Sequence, residues 1–181
     1  MRFDRIFEDL EGRFAHHERE EMRAVSEDLA RAERAQLSLA DRLRGAGGSS
    51  LTLHLGPSLR LEGVVDDVGE EWVALQEEGG GRRTVVPLAA IALVDGLSSR
   101  ARPAEESLRS PLGLGSVLRA IARDRGVVRL ETTAGGIMGR LAAVGVDAVD
   151  VHSLPTGESG TVPGSARITV ATASLLAVRP R

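Results

Sequence analysis

Two stretches of this chain carry the same spacing of glycines and apolar residues, 76 residues apart. Gly63 falls on Gly139, Val65 on Leu141, Val68 on Val144, Gly69 on Gly145, Val73 on Val149 and Leu75 on Val151. Further along, an offset of 84 lays Val86 on Val170, Ala89 on Ala173, Ile91 on Leu175 and Val94 on Val178. The difference falls within residues 153–165, a stretch rich in Pro, Gly, Ser and Thr where an insertion costs little loop entropy. This agreement predicts a duplication, so each copy must build its own fold.

Each copy reads as strands. Leu51, Leu53 and Leu55 alternate with polar residues, as do Leu59 and Leu61, which is the period of a half-buried strand. Gly56-Pro57 reads as a turn and residues 78–82 as a hairpin tip, with further strands at 72–76, 83–86 and 91–94. Five short strands predict a small barrel. A short helix is expected before each copy, at 39–43 and at 117–123. Ser38 and Asp41 form a variant capping box for the first, and Gly45 ends it.

Upstream, the apolar period is helical. Phe3, Phe7, Leu10 and Phe14 form one stripe, which Met22, Val25, Leu29 and Ala32 resume among Arg and Glu. Such an arm packs on the rest of the chain, self-associates as a coiled coil, or docks another protein. The predicted organisation is an arm over 1–45, a first barrel over 46–97, a linker over 98–113 and a second barrel over 114–181.

A short helix followed by five strands, with a glycine in the bent second strand, resembles the Sm-like family of SH3-like small barrels. The runs that carry the resemblance are residues 59–75 (LRLEGVVDDVGEEWVAL) and 137–151 (IMGRLAAVGVDAVDV). It implies an α+β chain: an N-terminal helical arm, then two tandem five-stranded Sm-like/SH3-like β-barrels, each preceded by a short helix. The family's uridine-binding Asp and Asn are replaced by Gly69 and Val73 in one copy and Gly145 and Val149 in the other. Its Arg-Gly signature stands as Asp95-Gly96 and Arg179-Pro180. The resemblance therefore implies the barrel without the RNA pocket.

Composition narrows function. There is no cysteine, which removes disulfides, thiol nucleophiles and cysteine-held metals. All 23 basic residues are arginine, most simply the mark of a GC-rich genome, so a phosphate loop with its lysine is excluded. His16 and His17 lack further metal ligands, while His54 and His152 sit at non-core phase. The pairs Asp66-Asp67, Glu70-Glu71 and Glu77-Glu78 read as solubilising loop charge, and no helix follows Gly135-Gly136 to make a dinucleotide site. A non-enzymatic protein without cofactor or metal is expected. No apolar run approaches the roughly 18 residues of a membrane span, and acids come too early for a signal peptide, so the cytoplasm is the expected compartment.

Two binding readings follow. In the first, the chain is a protein-interaction or scaffold module, its candidate interface being Phe3, Phe7, Leu10, Phe14 and Trp72. Trp72 takes the strand phase opposite Val73 and Leu75, so it points outward, covered by a helix of the same chain, in the first place the arm, or anchoring a partner or second subunit. The second is nucleic-acid binding. The net charge of −3 conceals a basic C-terminal half, whose candidate contacts are Arg100, Arg102, Arg109, Arg119, Arg123, Arg125, Arg129 and Arg140. Against it stand the scarce aromatics, which leave few platforms for stacked bases.

Overall fold

The computed structural model describes residues 19–56 apart from 33, then 59–79, 81–103, 112–154 and 165–181. Phe3, Phe7, Leu10, Phe14 and Arg109 lie outside the described residues. The chain divides into two compact units, Met1–Leu37 and Ser38–Arg181.

In the first unit, residues 19–32 and 34–36 are helical. Arg31 pairs with Asp28 at 3.1 Å, three residues back on the same helix face. The stripe is open: Met22, Val25 and Leu29 are 68%, 59% and 61% exposed.

The second unit starts on a capped helix, α1 (Leu39–Gly45). Ser38 Oγ accepts the Asp41 N–H at 3.1 Å and the Asp41 carboxylate accepts the Ser38 N–H at 3.0 Å, satisfying two amides that helix geometry leaves over. Five strands follow: β1 (Ser50–Leu55), β2 (Leu59–Val68), β3 (Trp72–Glu77), β4 (Arg83–Pro87) and β5 (Ile91–Asp95). A second helix, α2 (Leu114–Asp124), precedes β6 (Val128–Thr132), β7 (Gly135–Val144), β8 (Ala148–Ser153), β9 (Arg167–Ala171) and β10 (Leu175–Pro180).

All ten strands belong to one antiparallel sheet, in the order β5-β1-β2-β3-β4-β10-β6-β7-β8-β9. This corrects the expected fold class. Two closed five-stranded barrels, and with them the Sm-like/SH3-like tandem reading, are replaced by one open sheet that runs through both halves. The joint is β4 against β10, where Val85 opposes Val178.

Burial explains the joint. One core holds Leu43, Leu53, Leu61, Val73, Leu75 and Val86; the other holds Trp72, Ala74, Val85, Leu118, Leu130 and Val151. Alternate side chains of β3 therefore serve different cores, as do Val85 and Val86 of β4 and Ala177 and Val178 of β10. A strand buried on both faces cannot be the outer wall of a separate barrel. Across the joint, Arg179 Nε lies 3.0 Å from Glu77 Oε1 and its Nη1 lies 3.6 Å from Glu131, tying β10 to β3 and β6.

Trp72 shows the consequence. Its side chain is 5% exposed, and its Nε1–H donates to the Leu112 carbonyl at 2.7 Å. It points away from Val73 and Leu75, as the alternation predicts, but that direction leads into the second core. Its cover comes from within Ser38–Arg181. The expectation of an outward Trp72 covered by the arm or anchoring a partner is corrected accordingly.

Gly139 in β7 is held by crowding rather than by its backbone angles. A Cβ there would run into the carbonyl of His152 and the side chain of Val151 on β8. The close approach of β7 and β8 shapes the surface described next.

Candidate functional site: a basic trough beside the second helix

Helix α2 has two faces with different tasks. Leu114 and Leu118 are buried in the second core, with Val117 and Ile121 packed against it. Arg119 and Arg123, one turn apart, stay exposed. The helix packs on β7, and between them lies a trough of about 770 Å³. Arg119, Arg123, Arg125, Arg140 and His152 line it, over a strip of small and apolar residues at 141–144. Among the described residues, no carboxylate lines it. Asp124, between two of these arginines in sequence, lines a neighbouring hollow with Ile121 and Pro180 instead.

Three local features aim the cations. Arg140 of β7 is the direct cross-strand partner of His152 of β8, so pairing alone sets them side by side. Arg123 lies in the last turn of α2, where positive charge complements the negative end of the helix dipole. Arg125 follows the helix in the left-handed region, with φ 52° and ψ 18°, and its N–H donates to the Ala122 carbonyl. That conformation usually selects glycine.

The nearest acid on the His152 strand is already engaged. Asp150 accepts from Arg167 Nη2 at 2.5 Å and from Thr169 Oγ1 at 2.7 Å. The hydrogen bond from Arg167, then that from Thr169, hold its carboxyl below the usual carboxylate range; burial acts against them, and the charges of Arg167 and His152 add smaller lowering effects. A depressed folded pKa gives stability that is present above the unfolded value and lost as pH falls through the folded one. Asp150→Asn should therefore be less stable than wild type at neutral pH. The gap should close as pH drops below the ordinary carboxylate range, as urea melts across that range would read. A gap independent of pH would refute the ion pair's contribution.

The structure brings together four of the eight arginines singled out in the sequence: Arg119, Arg123, Arg125 and Arg140. Arg129 is diverted. Its Nε donates to Glu131 at 2.6 Å, and the hydrogen bond and charge of Glu131 raise its pKa above the ordinary arginine value. Arg102 contributes a backbone N–H to the Asp41 carbonyl at 2.9 Å, beside α1, and Arg100 is exposed near Gly45. His152 was missed as a site residue, because only the register of β7 on β8 puts it opposite Arg140. Of the other histidines, His54 meets Asp95 at 2.8 Å between β1 and β5.

Among the described residues, no group of three or more His, Asp or Glu side chains comes together to hold a metal ion. No helix among them is long and apolar enough to cross a membrane. The chain matches no protein-family model and no curated protein.

Proposed function

We propose that this chain is a non-catalytic, cytoplasmic binding protein whose working site is the basic trough, and that the trough takes a polyanion. One observation carries this reading: four guanidinium groups and an imidazole converge on a single trough, with no carboxylate among its described lining residues. Arg119, Arg123 and Arg125 stand exposed beside one another in it, and an anion relieves the repulsion between such like charges. Arginine suits the task because its planar fork grips phosphate or carboxylate oxygens in pairs. Calorimetric titration with tripolyphosphate tests the reading. Wild type should bind it, and the double variant Arg119→Ala/Arg123→Ala should bind markedly less; equal binding by both would overturn it.

A second reading concerns the arm and rests on a different observation, the open Met22/Val25/Leu29 stripe. Contiguous exposed apolar surface usually marks a contact site, and here the proposed contact is self-association or a protein partner. Light scattering of the full chain and of a chain lacking residues 1–36 should give a larger particle for the first than its own mass accounts for. Monomers in both cases would remove self-association.

A further inference from the structure

Charge alone leaves open which polyanion the trough holds. We infer that it is a polynucleotide strand, gripped by its phosphates without regard to base sequence; this rests on the polyanion reading and narrows it.

The shape of the trough favours a chain over a small molecule. Six of its ten described lining residues are exposed, Arg119, Arg123, Arg125 and His152 among them. Small-ligand pockets bury about 70–90% of their ligand, which walls this open do not provide. A strand passing along the surface needs contact on one side only. Its charges are repeated, and so are those of the trough: Arg119 and Arg123 stand about 6 Å apart along the helix axis. Arg125 and Arg140 extend the row.

The lining also limits what can be read. Among the described lining residues, His152 is the only side chain able to accept a hydrogen bond from a base, and none is a Phe, Tyr or Trp that could stack one. The small and apolar residues at 141–144 offer uncharged ground for sugars. Contacts confined to the backbone give affinity without sequence preference.

Arg125 adds an independent argument. Its left-handed backbone would be relaxed by glycine, as Gly126 next to it shows the chain can supply. Strained residues of this kind concentrate at binding and catalytic sites. Here the strain holds an arginine in the trough.

The test is fluorescence anisotropy of the full chain with labelled oligo-U, oligo-A and oligo-dT of about 12 nucleotides. All three should bind with similar affinity. If each of the four arginines meets one phosphate, log affinity should fall against log salt with a slope of about −2.8, or about 50-fold between 50 and 200 mM. Arg125→Gly should melt at or above the wild-type temperature, yet bind about eightfold more weakly at 50 mM salt, its slope reduced to about −2.1. Tripolyphosphate binding without oligonucleotide binding would overturn the strand and leave the polyanion reading standing. Failure of both ligands would remove both. Oligonucleotide binding that Arg125→Gly leaves unchanged, or that strongly prefers one base, would overturn the assignment to this trough or its indifference to sequence.

Discussion

Trp72→Ala should destabilise the Ser38–Arg181 unit by about 3–5 kcal/mol, the largest effect expected of any single substitution here. Trp72 is the bulkiest side chain of the second core and packs with Ala74, Val85 and Leu118 across the joint between the halves. Truncation leaves a cavity in that joint, and it removes the hydrogen bond from Nε1–H to the Leu112 carbonyl, which keeps the Glu70 N–H at 3.4 Å. Trp72→Phe keeps most of the volume and loses one hydrogen bond, so about 0.5–1.5 kcal/mol is expected. Urea melts followed by circular dichroism would read both. Small, equal losses would mean that Trp72 is not part of the core that joins the halves.

Arg119→Ala/Arg123→Ala should weaken polyanion binding by about 5- to 30-fold at about 150 mM salt while leaving the melting temperature nearly unchanged. Exposed charge pairs are each worth up to about 1 kcal/mol, and two of them give that range. Both side chains stand on the solvent face of α2, opposite Leu114 and Leu118, so their loss removes charge without touching the core. Arg119→Glu/Arg123→Glu should abolish binding, since it adds repulsion to lost attraction. The control is Arg129→Ala. Glu131 already holds that arginine, so its removal should leave polyanion affinity unchanged.

Local elements were legible in the sequence. The Ser38/Asp41 cap, the strand alternation from Leu51 and the turn glycines all rest on short-range rules, and each sits where those rules put it. Closure was not legible. The recurring pattern suggested two self-contained barrels, whereas the strands at the joint have apolar residues on both faces. The run Trp72-Val73-Ala74-Leu75 carried that signal, because an unbroken apolar strand is one buried on both sides. Reading it as alternation placed Trp72 at the surface.

The trough was half legible for a similar reason. Arg119 and Arg123 are one turn apart, so their grouping follows from helical spacing, whereas Arg125 is placed by its left-handed backbone beyond the helix end. Arg140 joins them only through the packing of α2 on β7, and His152 only through strand register. The same stretch also holds Arg129, identical in type and diverted by a neighbour two residues away. Charge composition could not separate these cases; the partner of each side chain does.

Side-chain NMR of the arginine Nε–Hε groups during titration with tripolyphosphate addresses the trough most directly. Arg119, Arg123, Arg125 and Arg140 should shift together along one binding curve, while Arg129 and Arg179, held by Glu131 and Glu77, stay in place. Shifts confined to Arg129, Arg179 or the arginines of the arm, with the four trough signals unmoved, would contradict the trough as the site where this chain binds.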